Sequence, residues 1–195
     1  RTPSPESRTL DLPPGMLLSI SRSNELAFLR GSNYSGFFVQ PGTLVRAGLE
    51  GGTGRDIVEN VHSADWSPDG TALMVQRHVN GKDRIEYPIG TLFYESPGRI
   101  EFPRVSPDGE RVVLIEGSQD DAAIVTVDRR GHKKTLVRES QGFAAFGELA
   151  WHPSGEIWFD GTQPDTGDGL FAVSPSGRVR AVLKGVDIPI LMDIS

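Results

Sequence analysis

Side chains able to do chemistry are scattered through this 195-residue sequence, and their spacing limits what each can do. The four histidines, His62, His78, His132 and His152, share no spacing with which imidazoles hold a metal. His152 stands in a turn motif, Trp151-His152-Pro153-Ser154-Gly155, where its ring is expected to cap the backbone. A nucleophile elbow needs Gly-x-Ser-x-Gly between a strand and a helix, and Gly31-Ser32-Asn33-Tyr34-Ser35-Gly36 lacks that spacing. Asp165-Thr166-Gly167-Asp168-Gly169 alternates oxygen ligands around glycine as a calcium loop does, yet it has neither the third acidic ligand nor the closing Glu. A solvated turn between strands is expected there, and Asp120-Asp121 is expected to be a charged hairpin tip. The sequence has no cysteine, which removes disulfides, thiolate zinc sites and thiol nucleophiles together. No catalytic, cofactor-binding or metal-binding residue is therefore assigned.

One polar set remains. Ser19, Asp65, Arg104, Ala150 and Asp193 each precede a large apolar residue, namely Ile20, Trp66, Val105, Trp151 and Ile194. Side chains alternate along a strand, so equivalent positions on equivalent strands share a face. On strands gathered around one axis, Asp65, Arg104 and Asp193 would form a polar ring at a channel mouth, with Asp65 and Arg104 close enough to pair. Such a pair would either bind a ligand or only satisfy itself and fix the packing of neighbouring units.

The elements that would position this ring follow from a repeated turn. In Ala64-Asp65-Trp66-Ser67-Pro68-Asp69-Gly70, Pro68 presets φ for a type I turn, Asp69 suits the next position, and Gly70 can take φ > 0. The apolar run from Thr71 to Val75 reads as the return strand of a hairpin. The motif recurs as Arg104 to Gly109 and as Ala150 to Gly155. A degenerate copy runs from Ser19 to Asn24, where Asn tolerates the left-handed conformation in place of Gly, and a last copy begins at Asp193. The five anchors are spaced by 46, 39, 46 and 43 residues. A period of about 40–45 residues with several strands in each unit is the signature of a propeller blade.

An all-β fold is thus expected, a β-propeller of about four blades with four antiparallel strands each. Residues 1–14 read as a linker and 15–195 as blades. Each anchor strand is placed innermost, with three strands stepping outward. Expected strands include Met16 to Ile20, Glu25 to Arg30, Thr43 to Ala47 and Asp56 to Val58 in the first unit. Blade four should use Glu156 to Phe159, Leu170 to Ser174 and Arg178 to Leu183, with a turn over Gly161 to Gly169. An unmatched inner strand at Ile190 to Ile194 suggests a fragment of a larger ring. The aromatics Trp66, Trp151, Trp158, Phe159 and Phe171 are expected between blades. No segment offers a capped helix of period 3.6.

Composition narrows the partners. With 23 Gly and 14 Pro the chain is turn-rich, and its formal net charge of −6 argues against a nucleic-acid partner. No run of about 18 apolar residues is present, so this segment is not expected to contact a membrane through a spanning helix. The start lacks the apolar core of a signal peptide and does not begin with Met, as expected for a piece of a longer protein.

The Ser-Pro-Asp-Gly anchors resemble the WD40-like (PD40) repeats of TolB-type six-bladed propellers. The runs Ala64 to Val75, Arg84 to Gly98 and Glu156 to Phe159 resemble the propeller region carried C-terminally by certain bacterial serine/threonine protein kinases. That resemblance implies a non-enzymatic module that binds a protein or small-molecule ligand as a sensor, attached to an upstream kinase and a membrane anchor, on the extracytoplasmic side. The chain itself has no glycine-rich phosphate loop, His-Arg-Asp or Asp-Phe-Gly, so any kinase activity would lie elsewhere. Two other readings are a TolB-like periplasmic scaffold and the gating propeller of a prolyl-oligopeptidase-like hydrolase, and fold alone does not separate them.

Overall fold

The computed structural model describes residues 10–32, 34–35, 38–117 and 121–185. Short apolar-rich runs between glycine and proline turns become antiparallel strands, grouped in fours. Blade one comprises β1 (Met16–Ile20), β2 (Glu25–Arg30), a small spur of β3 (Tyr34–Ser35) and β4 (Phe38–Val39), then β5 (Gly42–Gly48) and the first half of β6 (Arg55–Trp66). Blade two continues with the second half of β6, then β7 (Leu73–Val79), β8 (Lys82–Glu86) and β9 (Leu92–Glu95). Blade three is β10 (Arg99–Val105), β11 (Arg111–Gly117), β12 (Ala122–Asp128) and β13 (Lys133–Arg138). Blade four is β14 (Ala145–Trp151), β15 (Ile157–Gln163), β16 (Gly167–Val173) and β17 (Val179–Lys184). The one helical turn among the described residues is a 3-10 turn at Glu139–Gln141.

Two details depart from expectation. The strand expected at Asp56 to Val58 does not end before the anchor, because no glycine or proline interrupts Glu59 to Ser63. β6 runs on for 12 residues and pairs first with β5 and then with β7, with Asn60 bending it at φ 59°. In blade four the long turn expected over Gly161 to Gly169 shrinks to residues 164–166, since Gly161, Gly167 and Gly169 pair within β15 and β16. Thr162 Oγ1 donates to Asp168 Oδ1 across that hairpin at 2.6 Å. The strand expected at Ile190 to Ile194 lies outside the described residues.

The repeated turn is built as its residues require. Gly70 N–H donates to Ser67 O at 2.8 Å, Gly109 N–H to Ser106 O at 2.8 Å and Gly155 N–H to His152 O at 2.8 Å. Asn24 takes the left-handed conformation at φ 61°, as the degenerate copy demands. His152 caps its own turn, its Nδ1 accepting from Ser154 N–H at 3.1 Å. In the Ser-Pro-Asp-Gly copies the serine hydroxyl donates to the aspartate, at 2.5 Å for Ser67 and Asp69. That donor, with the Thr71 N–H and hydroxyl, holds the Asp69 carboxyl down to about 2 from its ordinary 3.8. The ionised form therefore favours the folded chain above the ordinary value, and this contribution drains away as pH falls from 3.8 towards about 2. Carboxyl-carbon NMR should show Asp69 titrating near 2, and Ser67→Ala should move the midpoint up; an unmoved midpoint would rule out the hydroxyl as the main cause.

The core lies between blades. Each anchor packs on the blade before it: Trp66 on Ala27, Leu29 and Leu44; Val105 on Met74 and Ile85; Trp151 on Val113, Ile115 and Ile124. Ile20, the anchor of blade one, is 52% exposed. The outer face of blade one, Leu26, Phe28, Val45 and Ala47, is covered instead by Leu10, Leu12 and Leu49. Trp151, Phe159 and Phe171 are buried between blades three and four, as expected of inter-blade aromatics. Trp158 points to the other face of blade four, stacked on His152 with ring centroids 5.1 Å apart.

Candidate functional site: an axial groove

The anchor strands β1, β6, β10 and β14 are the first of each blade and adjoin one another around a common axis. Asp65 is equivalent to Ser19, Arg104 and Ala150 in register, opposite Met74 as they are opposite Ala27, Val113 and Trp158. The four thus occupy equivalent ladder positions on the inner strands. Asp193 lies outside the described residues, so the third member of the expected ring is not placed.

Arg104 acts on Asp65 through its charge, and the carboxylate's hydrogen bonds go elsewhere. Asp65 Oδ1 accepts from Ser19 Oγ and from Trp66 N–H, each at 2.9 Å, and Oδ2 accepts from Val105 N–H at 2.9 Å. One carboxylate thus ties blades one, two and three together. Arg104 turns instead to blade four, where its Nη2 meets Glu148 Oε2 at 3.1 Å and its carbonyl accepts from Trp151 Nε1 at 3.1 Å.

Beside these links runs an open groove of about 1150 Å³. Its lining runs from Gly81, Pro97 and Gly98 to Arg104 and Glu148. Leu17 and Leu18 form an apolar wall on blade one, and Leu17 is 56% exposed. Phe102 supplies apolar surface on blade three, held at φ 49°, a conformation that bulky residues rarely adopt. His62 and His78, which share no ligand spacing in sequence, both line the groove. His78 Nδ1 lies 2.7 Å from Asp83 Oδ1, whose other oxygen accepts from Ile100 N–H at 3.0 Å. No group of three metal-ligating side chains occurs among the described residues.

Electrostatically the groove is rich in strained acids. Burial pushes the Glu148 carboxyl above its ordinary range; Arg104 opposes that rise and Asp160 adds to it. Burial likewise raises Glu101, against Arg99 at 2.7 Å and with Glu139 and Asp83 adding. Asp65 is raised by burial too, opposed by Arg104 and by its hydrogen bonds from Val105, Ser19 and Trp66. Sequence reasoning missed Glu148, Phe102, Leu18 and His62. Strict alternation hides them, because each inner strand carries a bulge at their height: between Leu17 and Ser19, Val61 and Ser63, Glu101 and Arg104, and Phe146 and Leu149.

Four-stranded blades around a grooved axis define the fold as a β-propeller. It is similar in structure to TolB from Acinetobacter baumannii, with a TM-score of 0.68 and 17% identity over 88% of this chain and 43% of that one. A putative TolB from Agrobacterium tumefaciens gives a TM-score of 0.64 and 18% identity over 85% of this chain and 63% of that one. The β-propeller domain of the Trilobed protease from Pyrococcus furiosus gives 0.57 and 12%, over 88% and 58%. The chain spans less than two thirds of the length of each of these structures. No family model and no curated protein matches the chain.

Proposed function

We propose that this chain is a non-enzymatic protein-binding module that takes an extended segment of a partner into its axial groove. The observation that carries this is the groove itself: a long cleft with apolar surface on blades one and three and charged groups along it, from Lys82 and Asp83 to Arg104 and Glu148. Apolar surface supplies affinity to an extended chain, while a few placed polar groups fix its register. The rigid strands act as frame, and the loops at the mouth act as reader. The TolB-like fold supports a propeller that works through protein contacts.

The test is selection of random peptides displayed on phage against the intact chain. Leu18→Arg, which fills the groove with a charge, should abolish capture of the selected peptides. Thr71→Arg, beside the Ser-Pro-Asp-Gly turns, should leave it intact. Peptides that bind both variants equally would place binding outside the groove and end this reading. The purified chain is expected to turn over neither phosphoryl nor peptide substrates.

We further infer attachment to a bacterial serine/threonine kinase, with the propeller as an extracytoplasmic sensor. This rests on the resemblance of Ala64 to Val75, Arg84 to Gly98 and Glu156 to Phe159 to such kinase-borne propellers. Sequencing the parent gene outward tests it: kinase motifs and a membrane span upstream support it, and a secretion signal or a hydrolase domain replaces it with a scaffold or an access gate.

A further inference from the structure

We propose that the groove reads one residue from each blade, and that it selects partner segments carrying an apolar side chain and a lysine or arginine, the basic group being taken by Glu148. This rests on the groove being a protein-binding site. A β-bulge re-aims a side chain that alternation would send elsewhere. Here all four inner strands bulge within about three residues of the Asp65-equivalent positions, and Leu18, His62, Phe102 and Glu148 line the groove at those bulges. The repeat thus supplies four variable positions on an otherwise uniform frame. Leu18 and Phe102 are apolar, and they flank the path down to Glu148.

Glu148 is open to a further partner. Arg104 engages only Oε2, at 3.1 Å, and Oε1 has no hydrogen-bond partner among the described residues. The side chain is 29% exposed. Behind it lies a second carboxylate: a Cβ at Gly147 would meet Asp160 Oδ2 at 1.8 Å, so a side chain there would have to displace the Asp160 carboxylate. At this end of the groove one guanidinium, Arg104, faces two carboxylates, those of Asp65 and Glu148. A positive group from the partner meets a net negative charge, and an acidic one is repelled. Lysine and arginine suit the approach, since their methylene stems lie along apolar walls while the charged head reaches a polar site.

The experiment compares peptides selected on the intact chain with those selected on Glu148→Gln. Wild-type selections whose capture Leu18→Arg blocks should be enriched in Lys or Arg at a fixed distance from an apolar residue. Replacing that basic residue by norleucine should weaken binding about tenfold, the loss of one charge-assisted contact. Glu148→Gln should lose the basic preference while keeping the apolar one, and Glu148→Asp should restore it in part. Groove-bound peptides without basic enrichment, or an unchanged preference in Glu148→Gln, would overturn this inference and leave the binding groove standing. Selected peptides indifferent to Leu18→Arg would overturn both.

Discussion

Replacing Asp65 with alanine is expected to lower the free energy of unfolding by about 3 kcal/mol, a large fraction of the stability of an ordinary domain. The carboxylate accepts from two backbone N–H groups, Trp66 and Val105, and from the Ser19 hydroxyl, all at 2.9 Å. Alanine leaves both N–H groups without an acceptor near the axis, at about 1–3 kcal/mol each, and part of that is offset because a buried carboxylate no longer has to be desolvated. Asparagine tests the same geometry more finely. Its amide offers one acceptor where two backbone donors stand on opposite oxygens, so one of them always faces an NH₂. Asp65→Asn should therefore fall between wild type and alanine, and Ser19→Ala should cost only about 1 kcal/mol, because it removes a donor and leaves both backbone bonds intact. Urea unfolding followed by tryptophan fluorescence measures all three. An Asp65→Ala midpoint equal to that of wild type would show that solvent replaces the carboxylate at no cost, and the axis would lose its proposed tie.

Phe159→Ala should cost about 4 kcal/mol, in the range measured for large aromatic deletions from well-packed cores. Phe159 is 0% exposed and lies in the cluster between blades three and four. Its ring meets Phe143, Phe146 and Phe171 with centroids 5.5, 5.5 and 5.7 Å apart. The cavity cannot close easily, because the surrounding strands are fixed by their ladders on both sides. For a chain of this length the loss corresponds to a fall in melting temperature of roughly 8–16 °C. Phe159→Leu should recover about half of it. Calorimetry showing a fall of under 3 °C, a threshold set at roughly 1 kcal/mol, would mean that the three remaining rings repack freely.

The fold was legible because its unit is local. Ser-Pro-Asp-Gly makes a tight turn from its own atoms, and a short apolar run follows it, so each hairpin can be read within a dozen residues. The register of Ser19, Asp65, Arg104 and Ala150 was legible for the same reason, since all four sit one step from a turn. Leu18, His62, Phe102 and Glu148 were hidden because a bulge breaks the two-residue period, and nothing in Glu101-Phe102-Pro103-Arg104 announces which residue is the extra one. Glu148 had a further disguise. Its partner Arg104 is far away in sequence and reaches it only once two blades are docked. Asp65 was found, but its partners were not: backbone donors carry no sequence signature, whereas an arginine does. The continuity of β6 was concealed by the opposite problem, an absence of turn residues in a stretch where the repeat led one to expect a break.

Because β6 belongs to two blades at once, a load passing between blades one and two travels through main-chain bonds of a single seven-stranded sheet. Between blades two and three no strand is shared, and the load passes through side chains such as Gln76, which donates to Ile100 O at 2.6 Å, and Asp83, which accepts from Ile100 N–H at 3.0 Å. The first joint is made of main-chain bonds, and the second of side-chain bonds and the apolar cluster of Met74, Ile85, Val112 and Leu114. Leu18 and Phe102 stand on opposite sides of that second joint, so a substitution in the cluster would be felt across the groove, whereas one in the shared β6 ladder would be felt within a single sheet.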